Sequence, residues 1–188
     1  TLRSDKENTE EIINNASRFL SSALPYAERV DVTILIETVG VFSDTSALKS
    51  LLDSFALDSL AALWDMHNTF FFGGEDPSRT IENLGAYVRH VHIKDSEKDN
   101  DGNLSFCLIG KGELPIDEMM NALRSVNYDG FISLEGDPAW LPDINDPEII
   151  FPHFVSFMSR YDSTSRAQSA LYSNNAKTGK YVWKKNLL

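Results

Sequence analysis

The sequence predicts a parallel α/β fold: a leading helix followed by about four strand–helix units. Three observations carry this. Short apolar, β-branched runs alternate with stretches of helical periodicity along residues 7–160. Strands separated by helices cannot pair as hairpins, so they pair in parallel with the helices outside. The strand starts fall about 28, 28 and 42 residues apart, close to the ~30 of a strand–helix unit.

Residues 7–24 read as the leading helix. Asn8 or Thr9 suits its cap, Glu10 and Glu11 suit its first turn, and Ile12, Ile13, Ala16, Phe19, Leu20 and Ala23 recur at helical spacing. Pro25 is expected to end it. Residues 32–38 form a nearly continuous apolar run, as in a strand covered on both faces. A helix opened by Ser43 or Asp44 runs to about Phe55, and residues 60–66 read as a second strand. Pro77, tolerated in a first turn, starts a helix to Tyr87. Residues 88–94 alternate and read as the third strand, which puts His90, His92 and Lys94 on one face. Residues 115–126 are helical, 130–135 form the fourth strand, and 147–160 form a final helix.

The chain has 188 residues and a formal charge of −11, with one cysteine, Cys107. One cysteine excludes an internal disulfide and fits a reducing, cytoplasmic setting, where this thiol is expected to be inert. No run reaches the ~20 apolar residues of a membrane span, and no signal sequence opens the chain. Residues 161–188 hold five bases and one acid, which leaves −15 on residues 1–160. The division is therefore an acidic body, 1–160, and a basic linker or tail, 161–188. An acidic body repels phosphate at long range, so neither nucleic acid nor an anionic membrane is an expected partner.

Each strand ends on or near a potential metal ligand: Glu37, Asp65, His92 and Glu135. In parallel α/β folds the loops at those ends form the active site. A charge closing an apolar strand needs a cation or a solvated cleft to compensate it. Three carboxylates and an imidazole suit Mn²⁺, Mg²⁺, Co²⁺ or Zn²⁺. Trp64, the Phe70–Phe72 triplet and Trp140 lie near the same ends, the triplet reading as a loop that serves as lid or interface. The glycines of Gly110-Lys111-Gly112 read as turn residues, with Lys111 a candidate anion contact, and Asp95 as the cap of the next loop.

Several runs together resemble the xylose isomerase-like TIM-barrel family. They are Ile-Glu-Thr-Val-Gly at 36–40, Leu-Trp-Asp-Met-His-Asn at 63–68, His-Val-His-Ile-Lys-Asp at 90–95, Gly-Lys-Gly-Glu-Leu-Pro at 110–115 and Tyr-Asp-Gly-Phe-Ile-Ser-Leu-Glu at 128–135. That family holds sugar and sugar-phosphate isomerases and epimerases, inosose dehydratases and the endonuclease IV group. The resemblance covers about residues 10–158 and implies the C-terminal half of a barrel, since a full one takes ~250 residues. It implies that Glu37, Asp65, His92 and Glu135 bind one divalent ion, and that Glu37 and Glu135 exchange a proton with the carbon beside a substrate carbonyl. The ion would polarise that carbonyl and stabilise the enediolate. Where the family often has histidine three residues after the aspartate, this chain has Asn68, with His67 one position earlier. His67, Asn68, Lys94, Lys111 and Trp64 are the candidate substrate contacts, and His90 a supporting or packing residue.

The expected activity is a metal-dependent isomerase or epimerase of a sugar, a sugar phosphate or a related hydroxy-carbonyl compound. A dehydratase on the same scaffold, or a non-catalytic half-barrel module, are the alternatives. An endonuclease needs a basic groove and more metal-binding histidines than an acidic body with four in all provides. Half a barrel leaves strand edges open, so the chain is expected to be a homo-oligomer or part of a larger chain.

Overall fold

The computed structural model describes residues 6–136 and 146–161. Trp140 and all of the basic tail beyond Tyr161 lie outside the described residues.

Helix α1 spans Lys6–Arg29 and contains Pro25, which sequence reasoning had placed beyond its end. Leu20, Leu24 and Ala27 are all buried and follow one another at helical spacing. Their packing carries the helix a turn past a proline that forfeits one backbone hydrogen bond. Thr9 is thereby inside the helix rather than at its cap.

Four parallel strands follow: β1 Ile34–Glu37, β2 Leu60–Asp65, β3 Val88–Ile93 and, later, β6 Ile132–Leu134. They lie side by side in the order β1-β2-β3-β6. Ile34 pairs with Leu60, Asp65 with His92, and His92 with Ser133. This register brings the four strand ends within about two residues of one another. The expected parallel α/β architecture is what the chain adopts.

Helix α2, Thr45–Phe55, is capped by Asp44, whose carboxylate accepts from the Ser46 N–H at 3.0 Å. Helix α4, Pro77–Leu84, carries its proline in the first turn. Glu75 ties the two together, accepting from the Thr45 N–H at 2.9 Å, the Thr45 hydroxyl at 2.6 Å and the Thr80 hydroxyl at 2.9 Å. Helices α5, Ile116–Ser125, and α6, Pro147–Met158, complete the outer layer, and a 3₁₀ turn, Ser159–Tyr161, follows. Leu48, Leu52, Ala62, Trp64, Leu84, Val91, Met119 and Leu123 form the core between helices and sheet.

Besides a 3₁₀ turn at Gly40–Ser43, two elements were not read from the sequence. Met66–Phe71 is a short helix, α3, so Phe70 and Phe71 of the expected loop are helical. Between β3 and α5 the chain makes an antiparallel hairpin, β4 Asp95–Lys98 and β5 Leu104–Cys107. This hairpin accounts for the longer spacing before the fourth parallel strand.

Candidate metal centre

Strand alternation decides which side chains reach the centre. On β2, Ala62 and Trp64 are fully buried in the core, so Leu63 and Asp65 face the other way. On β3, Val91 and Ile93 are buried in that core, which turns His90 and His92 to the opposite face, with Lys94 just beyond them. Glu37 closes β1, and Glu135 follows β6, its N–H donating to the Ile93 carbonyl at 3.0 Å.

The four ends converge. Glu37, Asp65, His92 and Glu135 each offer a donor atom within 4.8 Å of the others. His92 Nδ1 lies 3.3 Å from Glu37 Oε1 and 3.9 Å from Glu135 Oε2. Asp65 forms the buried floor, with a side chain 0% exposed, while Glu37 at 33% and Glu135 at 27% stand at the mouth.

Asp65 is held from three sides. Its Oδ1 accepts from the Asn68 N–H at 2.8 Å, which caps α3. Its own N–H donates to Thr38 Oγ1 at 2.8 Å, and that hydroxyl donates back to the Asp65 carbonyl. Its Oδ2 receives the Lys94 ammonium, which also donates to Glu135 Oε2. Thr38 was missed in the sequence, although it directly follows the β1 glutamate. Burial pushes the Asp65 carboxyl up to about 7 against the pull of Lys94. Glu135 goes the other way: partial burial would raise it, but hydrogen bonds from Asp65 and Lys94 outweigh that and lower it.

The remaining candidates separate. Asn68 is buried beside Asp65 and joined to it. Lys94 is in the cluster itself. His67 is fully buried on α3, its Nε2 2.8 Å from Ser96 Oγ and its ring 4.6 Å from that of Phe71 and 5.3 Å from that of Phe106. Burial lowers its pKa to about 4, so the ring is neutral. Trp64 lies in the core on the far face of β2, its Nε1 donating to Thr69 Oγ1 at 2.9 Å. Both side chains are thus buried: His67 braces the hairpin and Trp64 fills the core. Lys111 is exposed on its turn.

That turn belongs to Asp95. Its carboxylate, buried on the hairpin's first residue, accepts from the N–H groups of Gly110 (2.8 Å), Gly112 (3.0 Å) and Leu114 (3.1 Å). A Cβ on Gly112 would stand 2.3 Å from Asp95 Oδ1, so the glycine is needed for the approach. His90 braces the sheet, with Nε2 2.9 Å from Ser133 Oγ on β6.

Residues 2–150 match the family model described as xylose isomerase-like TIM barrel. The chain belongs to that family. Among its relatives is an uncharacterized protein of Methanocaldococcus jannaschii, 28% identical over 133 residues, or 66% of this chain and 44% of that one. Fructoselysine 3-epimerase of Escherichia coli O157:H7 is 24% identical over 120 residues, covering 62% of this chain and 42% of the epimerase. The chain spans less than half the length of these curated relatives. Among solved structures, the IolI protein with a zinc atom shares the fold, with a TM-score of 0.70 at 20% identity over 87% of this chain and 62% of that one.

The donor set of this family member suits one divalent ion. Oxygen and nitrogen donors from four strand ends lie within the span one ion can bridge, and Asp65 is already oriented by its capping bond.

Proposed function

We propose that this chain carries the metal centre of an isomerase or epimerase acting on a sugar, a sugar phosphate or a related hydroxy-carbonyl compound. The convergence of Glu37, Asp65, His92 and Glu135 at the C-terminal ends of four parallel strands carries this reading. A divalent ion held there would polarise a carbonyl oxygen and acidify the hydrogen on the adjacent carbon.

The chain's own side chains supply the rest. Glu37 and Glu135 come from the two outer strands of the sheet and stand on either side of His92. Both are partly exposed, as groups that must reach a ligand are. One removes a proton from a carbon between them, and the other returns one to the opposite face. The lowered pKa of Glu135 keeps it ionised, as a group must be before it can accept a proton. Lys94, in contact with the cluster, would orient substrate oxygens, with Asn68 beside Asp65 and Lys111 as further candidates, the latter for an anionic group.

Adding Mn²⁺ or Co²⁺ to metal-stripped protein should raise its melting temperature, and Glu135→Gln should lower turnover by about 100- to 10,000-fold while the fold is kept. Metal-independent melting of the wild type would overturn the proposal. Mass spectrometry of the product fixes the reaction class: an isomeric product supports isomerisation, and loss of one water would reassign the chain to the dehydratases.

A further inference from the structure

The Lys94 ammonium lies among the four donor residues, where it touches two of them. The oxygens it uses are the informative detail. Asp65 Oδ1 is committed to the Asn68 N–H, so Oδ2 is the oxygen left to face the cluster, and Lys94 holds it. On Glu135, Oε2 is the oxygen 3.9 Å from His92 Nδ1, and Lys94 holds that one too. The ammonium therefore engages the same oxygens a metal ion would draw on.

We infer that Lys94 is a resident counter-cation that a divalent ion must displace from Asp65 Oδ2 and Glu135 Oε2 in order to bind. The inference rests on the metal-centre reading above and adds the way the centre is kept when no ion is in it. Three carboxylates crowded within a few ångströms repel one another, most strongly at the buried floor where Asp65 is shielded from water. Lys94, itself 8% exposed, removes much of that repulsion from inside.

Two consequences follow. The metal-free fold is stabilised by its own side chain, so the centre stays assembled without an ion. Binding an ion exchanges one cation for another, so the apparent affinity is lower than the donor set alone would give. Ions that interact weakly with carboxylate, such as Na⁺ and K⁺, gain too little to expel an ammonium already in contact with two oxygens. Lys94 thus acts through Asp65 and Glu135 as a positioning residue that sets the threshold for occupancy.

The test compares wild type with Lys94→Met, which keeps length and apolar stem, with Lys94→Gln as a second neutral variant should the first fold poorly, and with Lys94→Arg. Each is stripped of metal, titrated with Co²⁺ by calorimetry and visible absorption, and melted without metal. The neutral variants should bind Co²⁺ roughly ten-fold tighter or more, and melt at a lower temperature when metal-free. Lys94→Arg, which retains the charge, should bind no tighter than wild type. A side chain that merely packed the site would lower affinity and metal-free stability together. If wild type binds Co²⁺ and the folded neutral variants bind it equally or more weakly, the inference is overturned and the metal-centre reading stands. If none of the proteins takes up Co²⁺, the metal-centre reading fails and the inference falls with it.

Discussion

His67 shows how one buried side chain sets a pH limit on the fold. Its ring is neutral in the folded protein because burial lowers its pKa to about 4, against about 6.5 in an unfolded chain. The unfolded state therefore takes up a proton first as pH falls. The stability linked to His67 is fully present above pH 6.5 and is lost between there and pH 4. The raised Asp65 carboxyl has the opposite sign over the same window, so the His67 contribution is read as a difference: between pH 7.5 and 4 the urea midpoint of wild type should drop relative to that of His67→Phe, which gives up the Ser96 partner. A slope identical in the variant would show that other groups set the acid limit. The four residues of the cluster were legible because a charge at the end of an apolar strand is conspicuous, and four in series more so. Trp64 was misread for a reason in the same strand: a residue adjacent to Asp65 on a strand points to the opposite face, into the core. His67 could not be placed, because the six residues of α3 are too few to show a helical period.

The hairpin β4–β5 is the element that most shapes the surroundings of the centre. Its strands are short, and the first, Asp-Ser-Glu-Lys, is polar throughout, so nothing in that run marks a buried face. Asp95, read as the cap of the next loop, gathers three N–H groups of the Gly110–Leu114 turn onto one carboxylate, and the Ser96 hydroxyl contacts His67. The hairpin is thus fixed at its base and closed at its exposed tip by its own turn, where Asp99 accepts from the N–H groups of Asp101 and Asn103. Gly112→Ala should force Asp95 or the Ser96 carbonyl away, since its Cβ would meet them at 2.3 and 2.4 Å. A loss of about 1–3 kcal/mol in denaturant unfolding is expected. The same substitution at Gly102, which meets nothing within 4 Å, tests backbone strain alone, because its φ is +83°. Helix boundaries were read to within a few residues except at α1, where buried leucines outweighed a proline.

Over the whole molecule, burial falls away toward the two outer strands. β1 and β6 are half-buried along their length, whereas β2 is mostly buried. Among the described residues neither has a strand on its outer side. Val32 and Val39 flank β1 at 53% and 52% exposure, and Phe131 precedes β6 at 73%. Unpaired edges bordered by apolar side chains favour association. Light scattering across a concentration series should show a species larger than 21.1 kDa, and a monomer throughout would count against this expectation. The sheet order was legible as far as parallel pairing goes. Its open edges were anticipated from length, not from any residue.

The sheet runs in chain order, which bears on how the molecule assembles. Ile34 meets Leu60 and Ala62 meets Val88, each across 26 residues, but Val91 meets Ile132 across 41, with the hairpin and α5 between. The first two pairings close short loops and can form early. The third closes the longest loop in the sheet, at a slightly larger entropic cost. Glu135 directly follows that strand, so the fourth member of the cluster is brought in by the longest-range pairing of the sheet.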